Sequence, residues 1–362
     1  MATVIFYNLI LLSSTLFIWL SEKGKRHFDR WILLLIAFFI IFIPSAIRYG
    51  IGTDFFNYIK IYNHIENYEW MEKGFYYINL FLKYTDAPSQ WSLIVFSFIF
   101  TFTAFLSYPR KNGWVVHFIF MAMLWFFSLN GIRQGIAAAF CLLALFSYFH
   151  KNLFYFILLT LIGALFHKSA LFVTSVGFLS LIPMGFPLKT KILPWVFIIL
   201  IIFTATSVSI ITLYIEQILR VLGFYKYAGY FSSYHFSMRD YGSGLGVLIK
   251  VIFSIYIIVN TKSILKLNDK YWLLIILTFI YASSAVLANS IIIFDRMAEA
   301  FVVSIIVSSY ILLQLPEKKQ IHRIVLAIFM SFLLLAFIKT SFGIPTSYGD
   351  PQLNPYVTIF DE

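Results

Sequence analysis

Apolar segments long enough to form membrane-spanning helices recur along this whole chain, and this pattern constrains its fold more than any other feature. Hydrophobic residues make up 61% of the 362 residues, aromatic residues 20% and charged residues only 12%, with a mean hydropathy of +0.87. A soluble core cannot bury that much apolar surface. The sequence therefore predicts an all-α, polytopic integral membrane protein.

Twelve segments are apolar enough to cross a bilayer as helices, the shorter ones with help from their neighbours. They are residues 4–20, 31–47, 91–107, 114–129, 132–149, 153–166, 169–183, 192–213, 244–260, 271–288, 293–314 and 321–338. No basic cluster precedes the first segment, so we expect it to stay as a helix and not to be removed as a signal peptide. We expect one transmembrane domain over residues 1–362.

The net charge of +11 reflects membrane topology, since the sequence contains no basic tract or motif for nucleic acid. Of the 27 Lys and Arg residues, 15 lie in six short loops, at 21–30, 108–113, 150–152, 184–191, 261–270 and 315–323. Loops of this kind stay in the cytoplasm, which predicts that both termini lie on the periplasmic side. Three longer segments, 48–90, 214–243 and 339–362, then lie at the outer face, and the first two should form short interfacial helices.

Several cations fall on the predicted outer side, where cytoplasmic retention does not explain them. They are Arg48, Arg133, Lys168, Arg239 and Arg296. An interfacial or buried charge is costly unless it is paired, so each is a candidate for ligand binding or for an ion pair. The alternative is that each side chain reaches lipid headgroups or neutralises a nearby acid.

Residues 130–171 bring two of these cations together with a histidine. Arg133 begins one apolar helix, and His167, Lys168 and Ser169 follow the next. Lys151 lies in the short loop between these two helices, and because that loop is predicted to be cytoplasmic, Arg133 and His167 are both predicted on the outer face. Free amides at a helix N-terminus beside a guanidinium favour an anion. His167 could then contact a diphosphate or carry a proton, while Ser169 could cap the next helix.

The acids near these cations allow two interpretations. In RYGIGTDFFNY at 48–58, Asp54 could pair with Arg48 or accept a proton from a hydroxyl group, and Tyr58 lies one turn after it. Glu72 adds an acid in an aromatic context. Asp295, Arg296 and Glu299 form either an internal ion pair or a ligand contact.

The sequence lacks an HExxH motif and a nucleotide-binding glycine loop, and its one cysteine, Cys141, lies in an apolar run. We therefore expect no metal and no cofactor. Cations, acids and aromatic residues at one membrane face suit transfer from a lipid diphosphate. The cations stabilise the leaving diphosphate, an acid takes the proton of the acceptor hydroxyl, and aromatic rings hold sugars.

Several short motifs, in their order along residues 30–310, resemble the EpsG/Wzy family of polysaccharide polymerases. They are Arg48 with GTDFFNY at 52–58, Glu72 with Gly74 and Phe75, IRQGIAAAF at 132–140, HKSAL at 167–171, and Arg296. The resemblance implies a glycosyltransferase of the bacterial inner membrane. Such an enzyme joins oligosaccharide repeat units carried on undecaprenyl diphosphate, at the outer face and without metal, into the O-antigen of lipopolysaccharide or into capsule. A chain-length regulator protein is a candidate partner.

The resemblance and the charge pattern together suggest roles for individual residues. We expect Arg133, Lys168 and Arg296 to bind the diphosphate, Arg48 to bind diphosphate or sugar, and Asp54 or His167 to act as the base. Tyr58, Glu72 and Arg239 are further candidates for substrate contact. Two alternatives stay open, a flippase or exporter of the same lipid-linked sugar, for which Lys250 inside an apolar segment would matter, and an acyltransferase with His167 as base.

Overall fold

The structure is a computed structural model that describes residues 1–150, 152–223, 225, 228–229, 244–288, 292–343 and 352–361. It divides the chain into two compact units. Unit 1 consists of Met1–Thr174 and Ile324–Glu362, and unit 2 consists of Ser175–Arg323. The expectation of a single transmembrane domain stays a prediction.

Helices account for unit 1, and most of them begin and end where the apolar pattern does. They are α1 (Ala2–Lys23), α2 (His27–Ile47), α3 (Phe55–Asn63), α4 (Lys73–Tyr84), α5 (Gln90–Ser107), α6 (Gly113–Asn130), α7 (Ile132–His150), α8 (Leu153–Ala164) and α9 (Ser169–Leu179), the last of which continues into unit 2. Polar residues define several of these ends. Asn152, for example, caps α8 by accepting a hydrogen bond from the Tyr155 amide at 3.3 Å.

Unit 2 is arranged around one central helix, α14. Its helices are α10 (Leu188–Thr206), α11 (Val208–Val221), α12 (Leu245–Val259), α13 (Thr261–Leu267), α14 (Trp272–Leu287), α15 (Ile292–Phe301) and α16 (Val303–Leu312), and α17 (Lys319–Ser341) runs from unit 2 into unit 1. The central helix packs against α10, α12, α15 and α16. Most of its side chains are buried, in keeping with an apolar sequence on all sides.

The structure confirms an all-α, multi-pass membrane fold but does not reach the predicted number of twelve spans. Among the described residues, eight helices are long and apolar enough to cross a membrane, or nine if α12 and α13, which bend by 58°, count as one span. The predicted spans at 153–166 and 169–183 form the short helices α8 and α9. A 12-residue helix is only about 18 Å long, against a hydrocarbon core of about 30 Å. The span predicted at 293–314 is broken at Val302 into α15 and α16.

In unit 1, hydrogen bonds show which helix ends lie together. The Gln90 side chain at the start of α5 donates to the Ala46 carbonyl in α2 at 2.5 Å, and Arg48 Nη2 donates to the Leu129 carbonyl in α6 at 3.3 Å. These ends define the Arg48 end of unit 1, where α3 and α4 form the short helices predicted for segment 48–90. At the opposite end, the Glu22 carboxylate accepts the backbone N–H groups of Asn112 and Trp114, each at 2.9 Å.

The tail lies at the Arg48 end, on the same side as segment 48–90 as expected, but the sequence did not predict its pairing with Arg48. Thr358 forms an antiparallel bridge with Arg48, and the Gly52 amide donates to the Gln352 carbonyl at 3.0 Å. The Tyr7 hydroxyl of α1 donates to the Leu353 carbonyl at 2.9 Å. Of the segment predicted at 214–243, the first part belongs to α11 and residues 230–243 lie outside the described residues.

Candidate functional site

Arg48 is fully buried and ties three helices together. Its guanidinium donates to the Ser45 carbonyl, to Ser97 Oγ at 3.3 Å and to the Leu129 carbonyl at 3.3 Å. The two carbonyls lie in the last turns of α2 and α6, where the helix dipoles favour a cation. Burial lowers the pKa of Arg48 to about 10, so the group is still charged at neutral pH. Arg48 makes no ion pair with Asp54, which was one of the two sequence-based interpretations.

Tyr58 is buried in the same region, with its ring centroid 6.0 Å from that of Phe75. Arg48 is completely buried and Tyr58 is 7% exposed in this structure. Their assignment to substrate binding stays a prediction, and their burial favours a supporting role beneath the site.

Asn130 connects the loop before α3 to the start of α7. Its Oδ1 accepts hydrogen bonds from the Thr53 hydroxyl at 2.8 Å and from the Asp54 amide at 2.9 Å. Gly52 permits this approach: its φ is +93°, and a Cβ there would lie 2.8 Å from the Leu129 carbonyl oxygen. The Asp54 carboxylate is half-buried and accepts no hydrogen bond from the described residues, so it is available to a ligand.

Arg133 and Glu72 form a partly buried ion pair, with 2.5 Å between Arg133 Nη1 and Glu72 Oε2. Their side chains are 23% and 11% exposed. The Arg133 guanidinium also lies 5.3 Å from the centroid of the Phe75 ring, a favourable cation–π position. Arg133 Nε is buried and has no hydrogen-bond partner among the described residues. Glu72 therefore holds the guanidinium in place, and the Arg133 side chain stays partly exposed to a ligand.

The start of α4 rests on the turn between α8 and α9. The amide of Gly74 donates to the Leu165 carbonyl at 2.8 Å, and a Cβ on Gly74 would lie 2.8 Å from that oxygen. Only a glycine allows such close contact without displacement of the turn. Since Gly74 lies between Glu72 and Phe75, this contact brings His167 and Lys168 to the region of the Arg133 ion pair.

The hydrogen bonds of His167 assign its neutral tautomer. The Ser169 amide donates to His167 Nδ1 at 3.2 Å, and Ser169 Oγ lies 2.9 Å from the same nitrogen. A backbone N–H can only donate, so Nδ1 carries the lone pair and Nε2 carries the proton when the ring is neutral. In this tautomer Nε2 is a hydrogen-bond donor, which suits a contact to a diphosphate oxygen better than proton abstraction.

Unit 1 therefore brings together Asp54, Glu72, Arg133, His167 and the exposed Lys168, which we call the site cluster. Each member was selected from the sequence, but Asn130 was missed. Its position before Gly131, at the boundary between two apolar segments, could have indicated that its amide side chain binds backbone groups there. The pairing of Arg133 with Glu72 was also missed. Within the described part of the chain, no group of three or more His, Cys, Asp or Glu side chains is placed to hold a metal ion.

Two other predicted site residues belong to the range 175–323 of unit 2. Arg296 is an exposed residue of α15 in unit 2, on the same helix as Asp295 and Glu299. Arg239 lies outside the described residues. Their roles in substrate binding stay predictions.

The fold and the site cluster together define a multi-pass, all-α membrane protein with a charged site at one end of the helices of unit 1. The chain matches the EpsG family over residues 31–358, and it belongs to that family. The match includes every member of the site cluster and extends into the tail that pairs with Arg48. No curated protein and no solved structure matches the chain. Membership of the EpsG family suggests a role like that of a polysaccharide polymerase.

Proposed function

We propose that the protein is a membrane glycosyltransferase that joins undecaprenyl-diphosphate-linked oligosaccharide units into O-antigen or capsular polysaccharide. The observation that supports this most is the site cluster, which combines a partly exposed guanidinium held by Glu72, a histidine whose Nε2 is a donor, and a carboxylate that accepts no hydrogen bond from the described residues. A diphosphate leaving group needs cationic and N–H donors, and a hydroxyl nucleophile needs a base.

The basic residues at the other end of unit 1 support an assignment of the side of the membrane that the site cluster faces. Lys23, Lys25, Arg26, Arg110 and Lys111 all lie at or near the end opposite to Arg48. Basic loops stay in the cytoplasm, so we infer that the site cluster faces the periplasm of a bacterial inner membrane. Both terminal segments of unit 1 would then also be periplasmic.

In the proposed step, a hydroxyl oxygen of the acceptor sugar attacks C1 of the donor sugar. The bond from C1 to the diphosphate oxygen breaks, and the diphosphate leaves with its lipid. Asp54 takes the proton of the attacking hydroxyl. Arg133, Lys168 and the Nε2–H of His167 stabilise the charge that develops on the diphosphate, and Arg296 is a further candidate for that contact. The proposed step uses only side chains of the protein itself.

The proposed function can be tested with the purified protein in detergent and purified lipid-linked oligosaccharide. A polymerase would produce a ladder of glycans that grow by one repeat unit at a time. A flippase of the same lipid, for which Lys250 within helix α12 is the relevant observation, would leave the glycan length unchanged. Absence of lengthening by a folded, monodisperse preparation would contradict the proposal.

Cysteine labelling tests the orientation separately. In a Cys141→Ser background, we expect a cysteine at Asn67 to react with a membrane-impermeant maleimide in intact spheroplasts, because Asn67 is exposed at the Arg48 end. A cysteine at Lys25, exposed at the other end, should react only after the membrane is opened. The reverse pattern would place the site cluster in the cytoplasm and contradict the proposed orientation.

A further inference from the structure

A second group of polar side chains lies among the helices of unit 2. It consists of Lys250 on α12, Tyr281 on α14, and Asp295 and Glu299 on α15. The central helix α14 packs against both of the other helices. Lys250, Asp295 and Glu299 all act electrostatically on the Tyr281 phenol, and Lys250 and Asp295 act on Glu299. We call these four residues the unit 2 polar cluster.

The members of the cluster lie inside three helices of unit 2. Lys250 lies five residues after the start of α12, Tyr281 six residues before the end of α14 and Glu299 seven residues after the start of α15, which is roughly 8–11 Å along each helix. Charged groups inside apolar helices are costly, and they commonly mark a functional site.

Two atoms of the cluster are buried without the partners that such atoms normally have. Tyr281 is 2% exposed, and its hydroxyl has no hydrogen-bond partner among the described residues. Glu299 Oε2 is likewise buried and unpartnered in the part of the chain that the structure describes. A buried polar atom without a partner is destabilising, so an open hydroxyl and an open carboxyl oxygen within one polar cluster need an explanation. A hydroxyl group, which both donates and accepts, would satisfy the two together.

The charges of the cluster narrow the class of ligand. Among the four residues of the cluster, Lys250 is the one cation and Asp295 and Glu299 are two carboxyl groups, so these four residues offer no surplus positive charge to a diphosphate. A neutral ligand rich in hydroxyl groups fits these donors and acceptors better. We propose that Lys250, Tyr281 and Glu299 form a saccharide subsite that binds hydroxyl groups of the glycan. The identity of this glycan as the polymer repeat unit rests on the proposed function.

Binding of free oligosaccharide to the full-length protein in nanodiscs tests this subsite. The probe is the repeat-unit oligosaccharide that mild acid releases from the lipid-linked precursor. We expect Tyr281→Phe and Glu299→Gln each to weaken its binding about tenfold. Tyr271→Phe is the matched control, because it removes a phenol hydroxyl just before the other end of α14, and it should leave the affinity unchanged.

Thermal unfolding provides the second measurement. Since the Tyr281 hydroxyl is unpartnered in the free protein, Tyr281→Phe should leave the Tm unchanged or raise it. A clear loss of thermal stability would show that the hydroxyl is already bonded and would overturn the subsite. Wild-type affinity in both variants, or no binding by the wild type, would overturn it as well.

Two further results separate this inference from the proposed function. A wild-type protein that binds the oligosaccharide but forms no longer glycan would contradict the polymerase and support the subsite. A wild-type protein that polymerises, with unchanged binding in Tyr281→Phe and Glu299→Gln, would contradict the subsite alone.

Discussion

Arg133→Ala should reduce glycan lengthening by about 1,000-fold at normal membrane levels, because it removes the cation that the structure places at the centre of the site cluster. Arg133 has one N–H group on Glu72, and its side chain is 23% exposed. A charge that is already oriented stabilises a leaving diphosphate without reorganisation in the transition state. The rate of ladder formation by purified protein measures this effect.

Loss of the Arg133 side chain also leaves Glu72 partly buried without its partner, which by itself destabilises a protein. The double variant Arg133→Ala with Glu72→Ala separates the two effects. We expect it to recover thermal stability but not activity. Arg110→Ala, at an exposed arginine of the opposite end, is the control and should keep wild-type activity. Normal ladders from either Arg133 variant would show that this cation takes no part in the reaction.

His167→Ala and His167→Gln should differ in activity, since the tautomer makes Nε2 a hydrogen-bond donor. Removal of one preorganised donor to a developing anion typically costs about 100-fold, which we expect for the alanine variant. A glutamine amide can donate from a similar position but cannot act as a base. We therefore expect His167→Gln to retain at least about a tenth of wild-type activity.

Ser169→Ala serves as the matched control for His167, because it removes the hydroxyl contact but keeps the backbone N–H that fixes the tautomer. Its activity should stay within a few-fold of the wild type. Equal and severe losses in His167→Ala and His167→Gln would instead indicate that His167 acts as a base. In that case Asp54 would no longer be needed for proton transfer, and Asp54→Asn would be expected to stay active.

Much of the helical framework of unit 1 could be predicted because the free energy of inserting a segment depends mainly on that segment. The apolar runs at 4–20, 31–47, 91–107, 114–129 and 132–149 all became helices of spanning length. The prediction was least accurate for 153–183 and 293–314, where composition resembles a span but the helices are short or broken. Helix length there depends on turns and packing, which hydropathy does not measure.

The charge pattern also predicted that Arg133 and His167 come together, because a hairpin of helices returns the chain to the same end. It could not predict the partners of individual side chains. Glu72 and Arg133 lie 61 positions apart, and Arg48 meets a carbonyl 81 positions away. Asn130, the tail from Gln352 and the fully buried state of Arg48 were missed for the same reason.

For this protein, the membrane class, most of the helices of unit 1 and the candidates for site residues followed from the order of amino acids, because insertion into a bilayer and charge retention act on one segment at a time. The burial of Arg48, the Glu72 ion pair of Arg133, the tautomer of His167 and the open donor and acceptor of the unit 2 polar cluster were decided only by tertiary structure. Each of these depends on distances between groups that the chain brings together from different helices or across a turn, and on the exclusion of solvent around them.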